Sequence, residues 1–123
     1  MAHILIIDDD APTRQFLRDL LEGEGHQISE AENGKVGIDT HRSDPADVVI
    51  TDIFMPEKNG LRTIRELQRD FPTVKIIAIS GGGDLGNLNP LILAEEIGID
   101  HTLSKPFHMQ DLLDALDDLL PKN

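Results

Sequence analysis

The chain has 123 residues, enough for one domain with a substantial core and too few for two. Its 23 Asp and Glu against 11 Lys and Arg give a formal net charge of −12, which argues against direct binding to nucleic acid, whose phosphates attract the opposite sign. The absence of cysteine excludes disulfides, thiolate metal sites and a cysteine nucleophile, and no apolar run approaches the roughly 18–20 residues that span a bilayer.

Met1 leads within three residues into Ile4-Leu5-Ile6-Ile7, leaving no room for a signal peptide, so the expected compartment is the cytoplasm. That run reads as a strand apolar on both faces and therefore buried on both. Ala11 to Glu24 carries Phe16, Leu17, Leu20 and Leu21 at helical spacing, with Asp10 as N-cap, Pro12 in the first turn and Gly25 at the end. Gln27 to Ala31 reads as a short strand, Gly34 to Arg42 as a helix and Asp47 to Thr51 as a third strand. Leu61, Ile64, Leu67 and Phe71 mark a helix stopped by Pro72. Val74 to Ile79 is a fourth strand, Asn89-Pro90 opens a helix to about Ile97 with Gly98 beyond it, and His101 to Ser104 is a fifth strand. Met109 to Leu120 closes the chain as an amphipathic core helix, its leucines opposite Asp111, Asp114, Asp117 and Asp118. A strand–helix unit repeated five times forces parallel strands joined by right-handed crossovers, hence an α/β, doubly wound five-stranded sheet. The segment Ser80-Gly81-Gly82-Gly83-Asp84-Leu85-Gly86 predicts a mobile loop, because glycine loses most conformational entropy on ordering.

In an open parallel sheet, ligands bind beyond the carboxyl ends of the strands. Polar residues stand at four such ends: Asp8-Asp9-Asp10, Thr51-Asp52, Ser80, and Ser104-Lys105. Two unit charges about 4 Å apart cost roughly 4 kcal/mol at an effective dielectric near 20. Converging carboxylates therefore demand a proton or a cation, and the one ammonium, Lys105, cannot neutralise three of them. With no His or Cys at these ends to favour zinc, a hard divalent ion with oxygen ligands is the economical answer, and Mg²⁺ suits a shallow site of carboxylates, waters and a phosphoryl oxygen. Carboxylates, a hydroxyl, a lysine and Mg²⁺ together make a phosphoryl-transfer constellation with one carboxylate as nucleophile.

The chain resembles the response-regulator receiver domain, the phosphoacceptor half of two-component signalling. The resemblance covers essentially the whole sequence and rests on Ile4 to Asp10, on Asp52-Ile53-Phe54-Met55-Pro56 followed by Gly60, on Ile79-Ser80-Gly81, and on Lys105-Pro106-Phe107. It implies a flavodoxin-like (βα)5 sheet in strand order 2-1-3-4-5 and phosphorylation of Asp52. It also implies Mg²⁺ held by Asp8, Asp9, Asp52 and the Phe54 backbone carbonyl, with Asp9 binding directly and Asp8 largely through water. Ser80 would be the hydroxyl that moves toward the phosphoryl group and Lys105 its cationic partner, aimed inward by a cis peptide before Pro106. The donor would be a histidine kinase or a histidine phosphotransfer protein. A downstream protein would bind the face of the last two helices and strand five, where a dimer could also form. Residues 1–123 are accordingly expected to be one receiver domain, without an output domain, binding neither nucleic acid nor membrane, and a switch rather than an enzyme.

The chain departs from that family at Thr102, where a switch aromatic usually stands, in the length of its glycine-rich segment, and at Phe54 and Gly82, positions often polar. These departures motivate a competing reading as a degenerate receiver that binds a partner constitutively. A second alternative is a phosphatase of the haloacid-dehalogenase type, with Asp8 as nucleophile and Asp10 as its acid partner. His3, His26, His41, His101 and His108 show no ligand spacing, and the glycines lack the Gly-Lys-Ser/Thr of a nucleotide-phosphate loop.

Overall fold

The computed structural model describes residues 2–53, 60–80, 98–104 and 107–120. The glycine-rich loop, the helix expected to end near Ile97, and Phe54, Met55, Pro56, Lys105 and Pro106 lie outside them, as does the side chain of Ser80. Five strands, β1 (His3–Ile7), β2 (Gln27–Ala31), β3 (Val48–Asp52), β4 (Lys75–Ser80) and β5 (His101–Ser104), pair in parallel in the order β2-β1-β3-β4-β5. The helices are α1 (Ala11–Gly23), α2 (Gly34–Ser43), α3 (Gly60–Asp70) and α4 (Met109–Leu119).

Alternation along the strands divides the core in two. Ile4, Ile6, Ile50, Ile77 and Ile79 pack with Leu17 and Leu21 of α1 and with Leu112 and Leu116 of α4. Leu5, Ile7, Val49, Ile76 and Ala78 face the other way, toward Ile38 of α2 and Ile64 and Leu67 of α3. The continuous apolar run of β1 thus serves both layers, and Ile4 to Ile7 are all at most 1% exposed. Phe16 departs from the sequence expectation: it is half exposed, because the stripe that meets the sheet runs through Leu17 and Leu21 and leaves Phe16 at its margin.

Helix ends follow their capping chemistry. Asp10 Oδ2 accepts the Thr13 N–H at 3.0 Å at the start of α1, and Asn33 Oδ1 accepts the Val36 N–H at 2.9 Å at the start of α2. Gly25 turns the chain into β2 with φ +90°, a region that side chains other than glycine rarely enter. Asp47, expected to begin the third strand, instead braces the start of β1: its Oδ2 accepts the His3 N–H at 2.9 Å, and its own N–H donates to the His3 carbonyl at 2.7 Å.

Two features of this packing have measurable consequences. A Cβ at Gly37 would lie 2.3 Å from Ile7 Cδ1 and 2.7 Å from Ile7 Cγ1, so α2 approaches β1 closely because position 37 lacks a side chain. Gly37→Ala gains up to about 1 kcal/mol of helix propensity but overpacks a filled core at a cost of about 1–3 kcal/mol. The expected net loss is about 1 kcal/mol in urea unfolding. It should shrink in an Ile7→Val background, which removes the nearer contact.

His41 is 3% exposed, stands edge-on to Phe71 with ring centroids 4.5 Å apart, and accepts the Ala46 N–H on Nδ1 at 3.1 Å. Burial, reinforced by the neighbouring His3, lowers its pKa below the ordinary 6.5. The unfolded chain therefore takes up a proton at a pH where the folded chain does not, so this contribution to stability is complete above pH 6.5 and lost as pH falls through that value toward the depressed one. Urea unfolding at a series of pH values should show that decline, and His41→Asn, which can keep the acceptor, should flatten it. His26, lowered chiefly by burial, should leave a slope of the same sign.

Candidate functional site

The register of β1 and β3 builds the site. Ile7 pairs with Thr51, so Asp8 and Asp52 occupy the next rung, at the carboxyl ends of neighbouring strands. This is the point where the strand order reverses, the usual binding crevice of such sheets. Asp8 is 2% exposed; its N–H donates to the Ala31 carbonyl at 3.1 Å, and its Oδ1 accepts the Asp10 N–H at 2.9 Å. Asp52 is 7% exposed and pairs with Ile79 of β4, while the following Ile53 N–H extends the ladder to the Ile79 carbonyl at 2.9 Å. Asp9 is exposed on the turn into α1. One carboxylate oxygen from each of Asp8, Asp9 and Asp52 lies within 4.8 Å of the other two.

Of the residues expected at the site, these three are brought together. Ser80 is the last residue of β4, paired with Ser104 of β5, so its backbone stands at the same sheet edge. Phe54 and Lys105 lie outside the described residues. Thr102 is half-buried and pairs with Ala78, whereas His101, its neighbour, turns to the opposite layer and places Nε2 2.8 Å from Asp118 Oδ2 of α4. Asp10, engaged as the cap of α1, does not suit the second acid that the phosphatase alternative requires.

The donor set is wholly oxygen and anionic, which fits a small hard cation such as Mg²⁺ rather than a thiophilic or imidazole-bound metal. A cavity of about 550 Å³ between α2 and α3, lined by residues including Asn33, Arg42 and Arg62, does not include these carboxylates. A contact that the sequence reading passed over is made by Arg14, whose Nη1 donates to the Asp8 carbonyl at 2.6 Å while its Nε stands 3.3 Å from Glu30 Oε1. A cation just inside a helix that follows an acidic strand end was its one visible signal; the partner on β2 was not.

A parallel sheet in the order 2-1-3-4-5, covered on both faces, with buried acids at its switch point, defines a flavodoxin-like α/β domain with an acidic crevice. The chain belongs to the response regulator receiver domain family, whose profile matches residues 4–117, and so to the receivers of two-component systems. It is 32% identical to the transcriptional regulatory protein CpxR of Escherichia coli over the whole chain, and spans about half (51%) of that curated relative's length. Among solved structures, a response regulator receiver domain protein from Clostridium thermocellum is 35% identical with a TM-score of 0.87, covering 97% of this chain and 94% of that one. The response regulator TrrA of Thermotoga maritima, solved in complex with Mg²⁺ and BeF, is 29% identical with a TM-score of 0.84, covering 98% of this chain and all of that one. Among the described residues, no helix is long and apolar enough to cross a membrane.

Carboxylates gathered this closely repel one another when ionised, and a cation among them relieves that repulsion. In EDTA, Asp52→Asn should raise the thermal midpoint by about 4 °C or more, the effect of relieving ~1 kcal/mol in a domain of this size. Added Mg²⁺ should then stabilise the wild type more than the variant in differential scanning calorimetry.

Proposed function

We propose that the chain accepts a phosphoryl group on Asp52 from the phosphohistidine of a histidine kinase or a histidine phosphotransfer protein, and that the phosphorylated form binds a downstream protein. The observation that carries this reading is the convergence of Asp8, Asp9 and Asp52 within 4.8 Å at the switch point of the sheet. Asp9 would bind Mg²⁺ directly and Asp8 largely through water, with Asp52 and the Phe54 carbonyl completing the protein ligands. When bound, Mg²⁺ supplies charge compensation for the carboxylates and for the phosphoryl oxygens.

In the transfer, an Asp52 carboxylate oxygen attacks phosphorus; a P–O bond forms as the P–N bond breaks, and the departing imidazole keeps the bonding pair and later takes a proton from water. Burial of Asp52 excludes much of the bulk water around the acceptor. Lys105 would pair with the phosphoryl oxygens and Ser80 would donate its hydroxyl to one of them. The added dianionic charge would favour a conformer in which both are drawn in. Residues 1–123 would act as a receiver in the cytoplasm, with the face of the last two helices and β5 binding the downstream protein, and would serve as a switch rather than as an enzyme with turnover.

Thr102 supports a second reading, constitutive partner binding, because a half-buried threonine cannot move as a switch aromatic would. A partner affinity that does not change with beryllofluoride would favour that reading. The primary test is intact-mass spectrometry after incubation with Mg²⁺ and a small acyl phosphate. One phosphoryl increment is expected on the wild type and none on Asp52→Asn or in EDTA; an increment that persists in Asp52→Asn would refute the assignment.

A further inference from the structure

We propose that Arg14 is a positioning residue for the metal site, holding the peptide that joins Asp8 to Asp9; this rests on the phosphoacceptor reading above. Arg14 lies in the first turn of α1, where its N–H makes a helical bond to the Asp10 carbonyl at 3.1 Å. Its guanidinium reaches back to the end of β1, donating from Nη1 to the Asp8 carbonyl at 2.6 Å while Nε pairs with Glu30 Oε1 at 3.3 Å. Glu30 is held in turn by Arg18, which also pairs with Glu22 at 3.4 Å. The Arg14 and Glu30 side chains are only 18% and 25% exposed, so this contact is far less hydrated than an ordinary surface ion pair.

Both backbone polar groups of Asp8 are thereby fixed from separate elements, the N–H by Ala31 of β2 and the carbonyl by Arg14 of α1. The Asp8 carbonyl belongs to the peptide plane that leads into Asp9, so holding it holds the Asp9 N–Cα bond and leaves the Asp9 side chain one fewer backbone rotation by which to leave the cluster. Asp9 needs that control more than its partners do. Asp8 and Asp52 are 2% and 7% exposed and are held by their surroundings, whereas Asp9 is exposed and reaches the cluster from a turn. Metal ligands held through such outer contacts lose much of their affinity when the contact is removed.

The sign of the effect separates positioning from simple electrostatics. Removing a positive charge near a divalent-cation site should tighten Mg²⁺ binding if charge alone mattered; loss of positioning should weaken it. Calorimetric titration of the full chain with Mg²⁺ is therefore expected to show about tenfold weaker binding for Arg14→Met. Arg14→Lys, which keeps the charge and a donor, should recover most of the loss. Arg18→Ala, which disturbs Glu30 without touching the Asp8 carbonyl, should leave affinity unchanged. Equal or tighter binding by a folded Arg14→Met overturns the inference, as does a loss that Lys does not repair. Should Arg14→Met fail to fold, Arg14→Gln takes its place, since its amide ends two atoms short of the Arg14 Nη1 that meets the Asp8 carbonyl: the same weakening is expected, and equal or tighter binding overturns the inference. A wild type without Mg²⁺ affinity instead overturns the phosphoacceptor reading, and this inference with it.

Discussion

The structure depends on one conflict: three carboxylates are held within 4.8 Å of one another while two of them are almost wholly withdrawn from water. Such an arrangement is costly by itself, since burial disfavours charge and like charges disfavour each other. It persists because the backbone leaves no alternative. Asp8 and Asp52 terminate adjacent parallel strands in matched register, and the sheet on which they stand is anchored by apolar side chains on both faces. The two core layers hold the sheet edge on which these acids stand, and the all-oxygen cluster gathered there fits a small hard cation.

The surroundings of the cluster show how the burden is distributed. β1 supplies isoleucine or leucine to both layers, so the strand that leads into Asp8 is buried on both faces. α2 sits close against Ile7 because Gly37 has no side chain, and α1 is capped by the acid that follows the pair at the strand end. Arg14, Glu30 and Arg18 then tie α1 to β2 across the tip of β1. The consecutive residues Asp8, Asp9 and Asp10 thus divide three tasks, a buried acid, an exposed acid and a helix cap, according to which way each leaves the chain.

Away from the site, β5 carries a half-buried threonine at position 102, and the strand sorts its neighbours by face. His101 meets Asp118 of α4, and Leu103 packs on the layer shared by α1 and α4. The acidic residues of α4 stay on its outer side while Leu112 and Leu116 are buried. The surplus of negative charge in the composition therefore lies both in the acidic crevice at the switch point and on an ordinary solvated helix face, which composition alone cannot distinguish.

Much of this was legible in the sequence because local physics writes it there. Strand and helix periods differ, so β2 and β5 were bounded to the residue and the other described elements to within a residue or two at each end. Asp10 could be read as a cap because it precedes a proline-containing first turn, and the acids could be read as a site because they follow a run that must be buried on both sides. Contacts between residues distant in the chain had no such signature. Asp47 bracing His3, His41 accepting from Ala46 under Phe71, and the reach of Arg14 to both the Asp8 carbonyl and Glu30 depend on how strands and helices come to lie beside one another. Phe16 shows the same limit, since a helical period identifies a stripe but only the neighbouring sheet decides where that stripe ends. The order of residues determined which segments form and which chemical groups stand at their ends; the distances that turn those groups into a site were decided by packing, because through-space charge and hydrogen bonding respond to separation in space and not along the chain.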